Sequence, residues 1–506
     1  MSAVTLVRGR WVLTGDDVLF DAAVAIEDGK VLETGDAQTL TKKYPAADLL
    51  GDVSSAVLPG FVNAHHHSHG FSSIQNGWPD LMLESWILGF AGLRSGPIYE
   101  ETLLSAANQL RSGVTSLVDV HSGSSTVSEY GQEVDDALRA YETAGIRVAF
   151  ATGSSTQSHL VHGKGQDAVF LASLPDSLRE AAAALLPGDD RMTDEQYLTL
   201  VSERVKAFSQ HEFIDVWFAP PGPQWVSDEH MQAIAVRAGE LGTQVQTHCN
   251  ESYYEKLHGE RLYGCPTVLH LDKLGVLDEC FSIAHGVWLT GSEIEVLAAT
   301  GAAVSHNPSS NLRLRAGIAP LNALLKAGAS VALGMDGTTI NEDEDMFAEL
   351  RLALRLNRAP HYEVEVPTVA QLYEMATHGG ARLMGKGDVV GRLAPGYAAD
   401  LMLLDLERVM YPWVAPEADP LELITLRAQK ADVRLVLVAG EVVVRDGRVT
   451  GFDEREVADA LVEHLSGQPL PTNTAAAVAA IRPHMEQWYR DWEHPPLEPH
   501  TIYNAR

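Results

Sequence analysis

What most constrains this chain is a rhythm. Short apolar runs at 57–64, 113–120, 146–152, 213–219, 243–249, 281–285, 302–306 and 330–336 alternate with helical patterns. Residues 101–111 show one such pattern, with Thr102, Leu103, Ala106 and Leu110 at helical spacing, and 229–241 show another. Apolar runs of this length, broken by Gly or polar residues, read as buried strands joined by helical crossovers. Eight strand–helix units suffice to close a (β/α)8 barrel, although an open doubly wound α/β sheet carries the same alternation. At 506 residues the chain also exceeds one ordinary core, so a barrel with an annex is expected.

The two ends follow a different pattern. Residues 4–58 hold short alternating strands, among them Trp11-Val12-Leu13 and Ala23-Val24-Ala25-Ile26, with a hairpin signal at Asp28-Gly29. The pattern returns at 401–404, 433–438 and 441–444, with a second Asp-Gly pair at Asp446-Gly447. The expected organisation is a small β-sandwich domain from 1–58 and 386–451, a barrel from 59–385, and a C-terminal helix with an extended arm over 452–506. The interval 153–212 is longer than one crossover helix needs and predicts a helical lid or subdomain. In the tail, Val457, Leu461 and Leu465 sit at helical spacing, followed by Trp488, Tyr489 and Trp492. Such a segment suits packing on the body or on a neighbouring subunit.

Charge and cysteine content narrow the setting. A formal charge of −31 argues against nucleic acid or an anionic membrane as partner. The three cysteines, Cys249, Cys265 and Cys280, form no Cys-x-x-Cys pair, which favours a reducing compartment over a disulfide framework. The first residues lack a signal peptide's apolar stretch, and no run approaches the ~18–20 apolar residues of a membrane span. A cytoplasmic location is expected.

In a parallel barrel the functional side chains stand at the C-terminal ends of the strands. The first apolar run ends in His65-His66-His67-Ser68-His69. Side chains at i and i+2 of a strand share a face, so His65 and His67 can reach one ion while His66 turns away. Neutral imidazole suits zinc or a similar divalent ion. Later runs end at His248 with Glu251 close behind, at His285, at His306 and at Asp336. An unpaired Asp or His buried there would cost several kcal/mol, and a shared metal explains their gathering.

Several segments in order resemble the amidohydrolase superfamily, in its branch of chlorohydrolases, guanine- and adenosine-type deaminases and s-triazine hydrolases. They are Pro59–His67, Asp80–Trp86, Gly113–Asp119, Thr247–Glu251, Ala284-His285, His306–Leu312, Leu333–Gly337 and Gly391–Leu401. The resemblance covers about residues 4–450 and leaves the C-terminal arm outside. It implies that His65, His67, His248 and Asp336 hold one divalent ion, zinc first and iron second, with an open position for water. Glu251 would carry the water's proton to a ring nitrogen of the substrate, and Asp336 would pass a second proton to the departing amine. His285 would orient the nucleophile or polarise the substrate. Two-metal relatives carry a bridging modified lysine at the end of strand four, and Phe213–Pro220 holds no lysine, so one metal is expected.

Substrate contacts are expected from Gln75, Trp78 and Trp86, where a flat heterocycle could stack on an indole, and from His306, Asn311 and Arg315. His66 and His69 are expected to support or pack. Met335, Ile340 and Arg315 depart from what the branch usually carries, and each would reshape the pocket. The expected function is a metal-dependent aminohydrolase that attacks the amidine carbon of a purine, pterin, pyrimidine or triazine-like ring and releases ammonia. Loss of chloride or alkylamine from an s-triazine-like ring is the near alternative. A metal-holding binding protein without turnover is the alternative of another class. The resemblance also implies a homo-oligomer, a dimer or tetramer.

Overall fold

A computed structural model describes residues 4–495, apart from 125, 338, 361 and 470. Eight strands form one parallel sheet in chain order: β1 Phe61–His66, β2 Val114–Ser122, β3 Arg147–Gly153, β4 Ile214–Phe218, β5 Val245–Cys249, β6 Phe281–His285, β7 Ala303–His306 and β8 Val331–Leu333. The first and last strands meet just beyond β8. There the Asp336 amide donates to the His65 carbonyl at 2.9 Å, and the Met335 amide donates to Asn63 Oδ1 at 2.9 Å. The sheet is therefore a nearly closed barrel rather than an open, doubly wound one.

The two-residue period of the strands sorts the side chains. Val62, Ala64, Val118, Ala149, Ala151 and Ala332 share an inner cluster of mostly small residues, which a narrow barrel can accommodate. Their neighbours Phe61, Leu117, Val148, Phe150 and Val304 face the surrounding helices in the largest core cluster.

The first apolar run is two strands, not one. Ser55–Pro59 pairs antiparallel with Leu401–Asp405 and parallel with Trp11-Val12, in a second sheet. Gly60 turns the chain out of that sheet and into β1. A Cβ there would lie 2.1 Å from Thr115 Oγ1 on β2, so only glycine allows the approach. The second sheet has nine strands among the described residues and draws on both ends of the chain. Val7, Val24 and Val57 share one cluster with Leu401, Leu403, Leu435 and Leu437, so the two ends are held by a common core. Trp11, Leu58, Met402 and Leu404 belong instead to the core beneath the barrel helices. Across the same junction Arg147, at the start of β3, makes a buried bidentate ion pair with Asp400, at 2.7 and 3.2 Å.

Within 153–212, helix Asp194–Phe208 is the crossover into β4, opened by a Thr193/Gln196 capping box. The extra material is narrower than the whole interval and holds helices Gln166–Ser173 and Asp176–Ala183. The tail forms two helices, Glu454–Gly467 and Thr472–Arg490. The second packs through Ile481, Met485 and Tyr489 on Leu88, Phe170, Ala182 and Leu257. Those partners follow β1, β3 and β5, so the C-terminal helix lies on the face where those strands end. Tyr489 and Trp492 are thereby buried on the chain's own body. The end of the expected extended arm, 496–506, lies outside the described residues. No helix among the described residues is long and apolar enough to cross a membrane.

Candidate active site

Four strand ends deliver five polar side chains to one place. His65 stands near the end of β1 and His67 just past it. His248 lies on β5, His285 closes β6, and Asp336 sits in the turn after β8. Ligand atoms of His65, His67 and Asp336 all lie within 4.8 Å of one another, as do those of His65, His248 and His285, and those of Glu251, His285 and Asp336. The pairwise separations are short: His67 Nε2 is 3.4 Å and His65 Nε2 3.8 Å from Asp336 Oδ1, and His285 Nε2 is 3.5 Å from Glu251 Oε2. His285 and Asp336 adopt left-handed backbone conformations, with φ of 77° and 60°. Strain of this kind in bulky or charged residues is held in place only by surrounding structure, and it collects at functional sites.

The outer nitrogens of the rings decide what the inner ones can do. His65 Nδ1 donates to Gln246 Oε1 at 2.7 Å, His67 Nδ1 to the Val120 carbonyl at 2.5 Å, and His248 Nδ1 to the Pro221 carbonyl at 2.8 Å. Each of these acceptors fixes the proton on Nδ1 and leaves a bare lone pair on Nε2. His67 Nε2 and His248 Nε2 then face each other at 3.2 Å with no proton to share. Two lone pairs at that distance repel, and a cation between them removes the conflict. His65 Nε2, His285 Nε2 and Glu251 Oε1 are buried without a hydrogen-bond partner. The residues present therefore fit a divalent metal ion.

Electrostatics support this arrangement. Burial, reinforced by neighbouring rings, pushes His248 down to about 3 and lowers His65 and His67, against protonation of the rings. Burial works to raise Asp336, but His67, His65 and His285 outweigh it and hold the carboxylate well below its usual range. Glu251 moves the other way: burial and the nearby carboxyls of Glu255, Asp336 and Glu84 push it well above its usual range. One neutral acid and one ionised carboxylate in a single site is a division of labour suited to proton transfer.

Other expected contacts fall into place differently. His66 turns away, bonding the Asp336 carbonyl at 2.9 Å and Ser105 Oγ at 2.8 Å. His69 pairs with Glu101 at 3.5 Å. His306 is buried at the end of β7 with both ring nitrogens unpartnered, pushed down to about 4 by burial and by His285. Asn311 Oδ1 accepts from His285 Nδ1 at 2.9 Å. Gln75 is exposed and closes a turn with the Ser72 amide at 2.9 Å. Trp78 and Trp86 knit the loop after β1: Trp78 Nε1 donates to the Trp86 carbonyl at 3.2 Å, and Trp86 Nε1 to Ser73 Oγ at 3.2 Å. Arg315 is exposed and lines a cavity with Met82, Glu84, Tyr254, Tyr489 and Arg490.

Three supporting residues were not singled out from sequence. Gln246 lies two positions before His248 on β5, so the strand's period could have revealed it. Ser310, which donates to Asp336 Oδ2 at 2.6 Å, and Glu255, which accepts from the Glu251 amide at 2.8 Å, carry no such signal.

A nearly closed parallel barrel with imidazoles and one carboxylate gathered at its strand ends defines a metal-dependent hydrolase architecture. The amidohydrolase family profile matches residues 56–443, and the chain belongs to that family. A second profile, an imidazolonepropionase-like composite domain of bacteria, matches residues 22–47. The chain is 30% identical to a 5-methylthioadenosine/S-adenosylhomocysteine deaminase of Nitratidesulfovibrio vulgaris, over 88% of this chain and 94% of that protein. It is 28% identical to a 5'-deoxyadenosine deaminase of Methanosarcina barkeri, over 90% of this chain and 96% of the relative. Among solved structures, an adenosine deaminase from Xanthomonas campestris with bound zinc is similar in fold, with a TM-score of 0.76 at 24% identity, covering 96% of this chain and 99% of that one.

Proposed function

We propose that this chain is a zinc-dependent hydrolytic deaminase that removes the exocyclic amino group from an adenine-type ring carried by a nucleoside. The observation that carries the reading is the placement of Glu251. Its carboxyl is buried, has one oxygen unpartnered and lies 3.5 Å from His285 beside Asp336. The names of the two sequence relatives, a 5-methylthioadenosine/S-adenosylhomocysteine deaminase and a 5'-deoxyadenosine deaminase, support the substrate class.

His65, His67, His248 and Asp336 would hold the ion, which when bound activates water as a nucleophile near neutral pH by lowering its pKa toward ~7. Glu251, entering as the neutral acid, gives its proton to the ring nitrogen next to the amino-bearing carbon, which makes that carbon a better electrophile, and takes the proton released from the water in its place. His285, held through Nδ1 by Asn311, presents Nε2 to the attacking oxygen and fixes its direction. Asp336, kept ionised, accepts the remaining proton and passes it to the leaving amine, so ammonia departs and a ring carbonyl remains. Three free cysteines accord with a cytoplasmic setting. We read a homo-oligomer from the exposed aromatics Phe20, Tyr411 and Trp413, which light scattering of the purified protein would check.

The test is turnover of adenosine, 5'-deoxyadenosine, 5'-methylthioadenosine and S-adenosylhomocysteine by zinc-loaded protein, with ammonia measured against ring-carbonyl product. One ammonia per product is expected. Chloride release from a chlorinated s-triazine, with no ammonia from any nucleoside, would overturn the reading in favour of the dechlorinating alternative.

A further inference from the structure

We propose that the cavity beneath the C-terminal helix is an outer subsite for a carboxylate at the end of the substrate's tail, with Arg315 as its contact. This deepens the deaminase reading and rests on it.

The cavity has a volume of about 200 Å³, and its walls include Met82, Glu84, Tyr254, Arg315, Tyr489 and Arg490. That is the share of roughly six or seven liquid waters, enough for a short polar tail. Both sides of it grow out of the catalytic set. On one side Ser252, the residue after Glu251, donates its hydroxyl to Glu84 Oε1. On the other, the Ala316 and Gly317 amides donate to the Asn311 carbonyl at 2.8 and 3.2 Å. Asn311 is the residue that holds His285. A substrate ring placed at Glu251 and His285 thus has this cavity as its neighbour.

Arg315 is an exposed wall of the cavity, open to a ligand. The chain has 68 acidic and 37 basic residues, so an arginine here has acids to spare. Arg313, two positions before it, pairs with both Asp80 and Glu342 at 2.7 Å. Arg315 makes no hydrogen bond or ion pair through its side chain among the described residues. Its backbone is left-handed, with φ of 56°, a conformation that an arginine rarely adopts. A guanidinium presents parallel N–H donors that match a carboxylate in bidentate geometry.

The acidic groups nearby do not oppose this use. Glu486 is already engaged by Arg490 at 2.9 Å and by Ser85 Oγ at 3.4 Å. Burial raises Glu84, favouring its neutral form. Arg490 and Glu486 belong to the helix Thr472–Arg490, which lies beyond the residues matched by the family profile. The outer wall is therefore supplied by a segment that the family domain does not include.

The experiment compares two adenosine 5'-thioethers of equal length, one ending in a carboxylate and one in its neutral carboxamide, on zinc-loaded parent protein and on Arg315→Ala and Arg315→Lys. The parent should favour the carboxylate at least tenfold in kcat/KM, mainly through KM. Arg315→Ala should lose ten- to hundredfold more on the carboxylate than on the carboxamide, and Arg315→Lys should recover part of that. Calorimetric binding of the corresponding inosine-type carboxylate, which cannot turn over, should weaken at least tenfold in Arg315→Ala. Equal treatment of the two tails by the parent, or equal loss on both in Arg315→Ala, would overturn the subsite. Absence of turnover on every adenosine would sink the deaminase reading instead, and the calorimetry would then decide the subsite alone.

Discussion

Asn311 accepts a hydrogen bond from His285, Oδ1 to Nδ1, at 2.9 Å, and so sets which nitrogen of that ring faces the reacting centre. The amide does this from a short helix, Pro308–Arg313, whose Ser310 also holds Asp336. One turn of helix thus positions two strand-end side chains.

Replacing Asn311 with alanine should lower kcat by about 10- to 100-fold while the protein still binds one metal per chain. Asn311→Asp, which keeps an acceptor at that position, should retain more activity than the alanine variant. Steady-state kinetics paired with metal analysis distinguishes a misoriented ring from a lost ion.

Glu251→Gln should keep its metal and lose about 10²- to 10⁴-fold in kcat, because an amide cannot shuttle the proton. A variant retaining near-parental turnover would remove Glu251 from the proposed chemistry.

Stripping the metal with a chelator should abolish turnover and lower the thermal midpoint, and adding zinc should restore both. The stability loss follows from the bare nitrogens of His67 and His248 facing each other at 3.2 Å, since an ion that binds the folded form stabilises it by mass action. Differential scanning calorimetry with and without zinc measures the effect.

The ion pair between Arg147 and Asp400 is nearly inaccessible to solvent, with side-chain exposures of 8% and 1%. Asp400→Ala leaves a buried guanidinium unpaired and should cost about 3–5 kcal/mol in denaturant unfolding, out of proportion to its distance from the site. Asp400 also accepts from the Ala439 amide at 2.8 Å, so the loss should be felt on both sheets.

Glu349 is buried, accepts from the Ser309 amide at 2.8 Å and from the Ser309 hydroxyl, and is pushed up to about 8, chiefly by burial. Its folded-state pKa lies above the ordinary value of 4.5, so the folded protein binds more protons between those limits. Its contribution to stability is thus present below about pH 4.5 and lost as pH rises through about 8, at up to roughly 1.4 kcal/mol per pH unit. Glu349→Gln should flatten that part of the stability profile, as thermal midpoints at pH 5 and 8 would reveal.

The barrel was legible in the sequence because buried strands leave short apolar runs and the crossover helices between them keep a 3.6-residue period. The histidines at the strand ends were legible for the same reason, since strand period and position dictate where they point. The split of the first apolar run at Gly60 was not, because Ser55–Pro59 and β1 are equally apolar and differ only in which sheet they join. Ser310 was hidden because its role depends on how the helix after β7 meets the turn after β8. The N–H groups of Trp78 and Trp86 are spent within their own segment, which no spacing rule reveals. The burial of Tyr489 and Trp492 against helices more than 200 residues earlier in the chain is a tertiary choice of the same kind.

Gly60 has an effect on how this protein can be dissected. The residue that ends a strand of the terminal sheet also begins the strand bearing His65, with no linker to absorb movement between them. Excising the barrel at this point would take away the anchor that aims its first histidine, so the catalytic body and its two flanking segments form an indivisible piece of machinery.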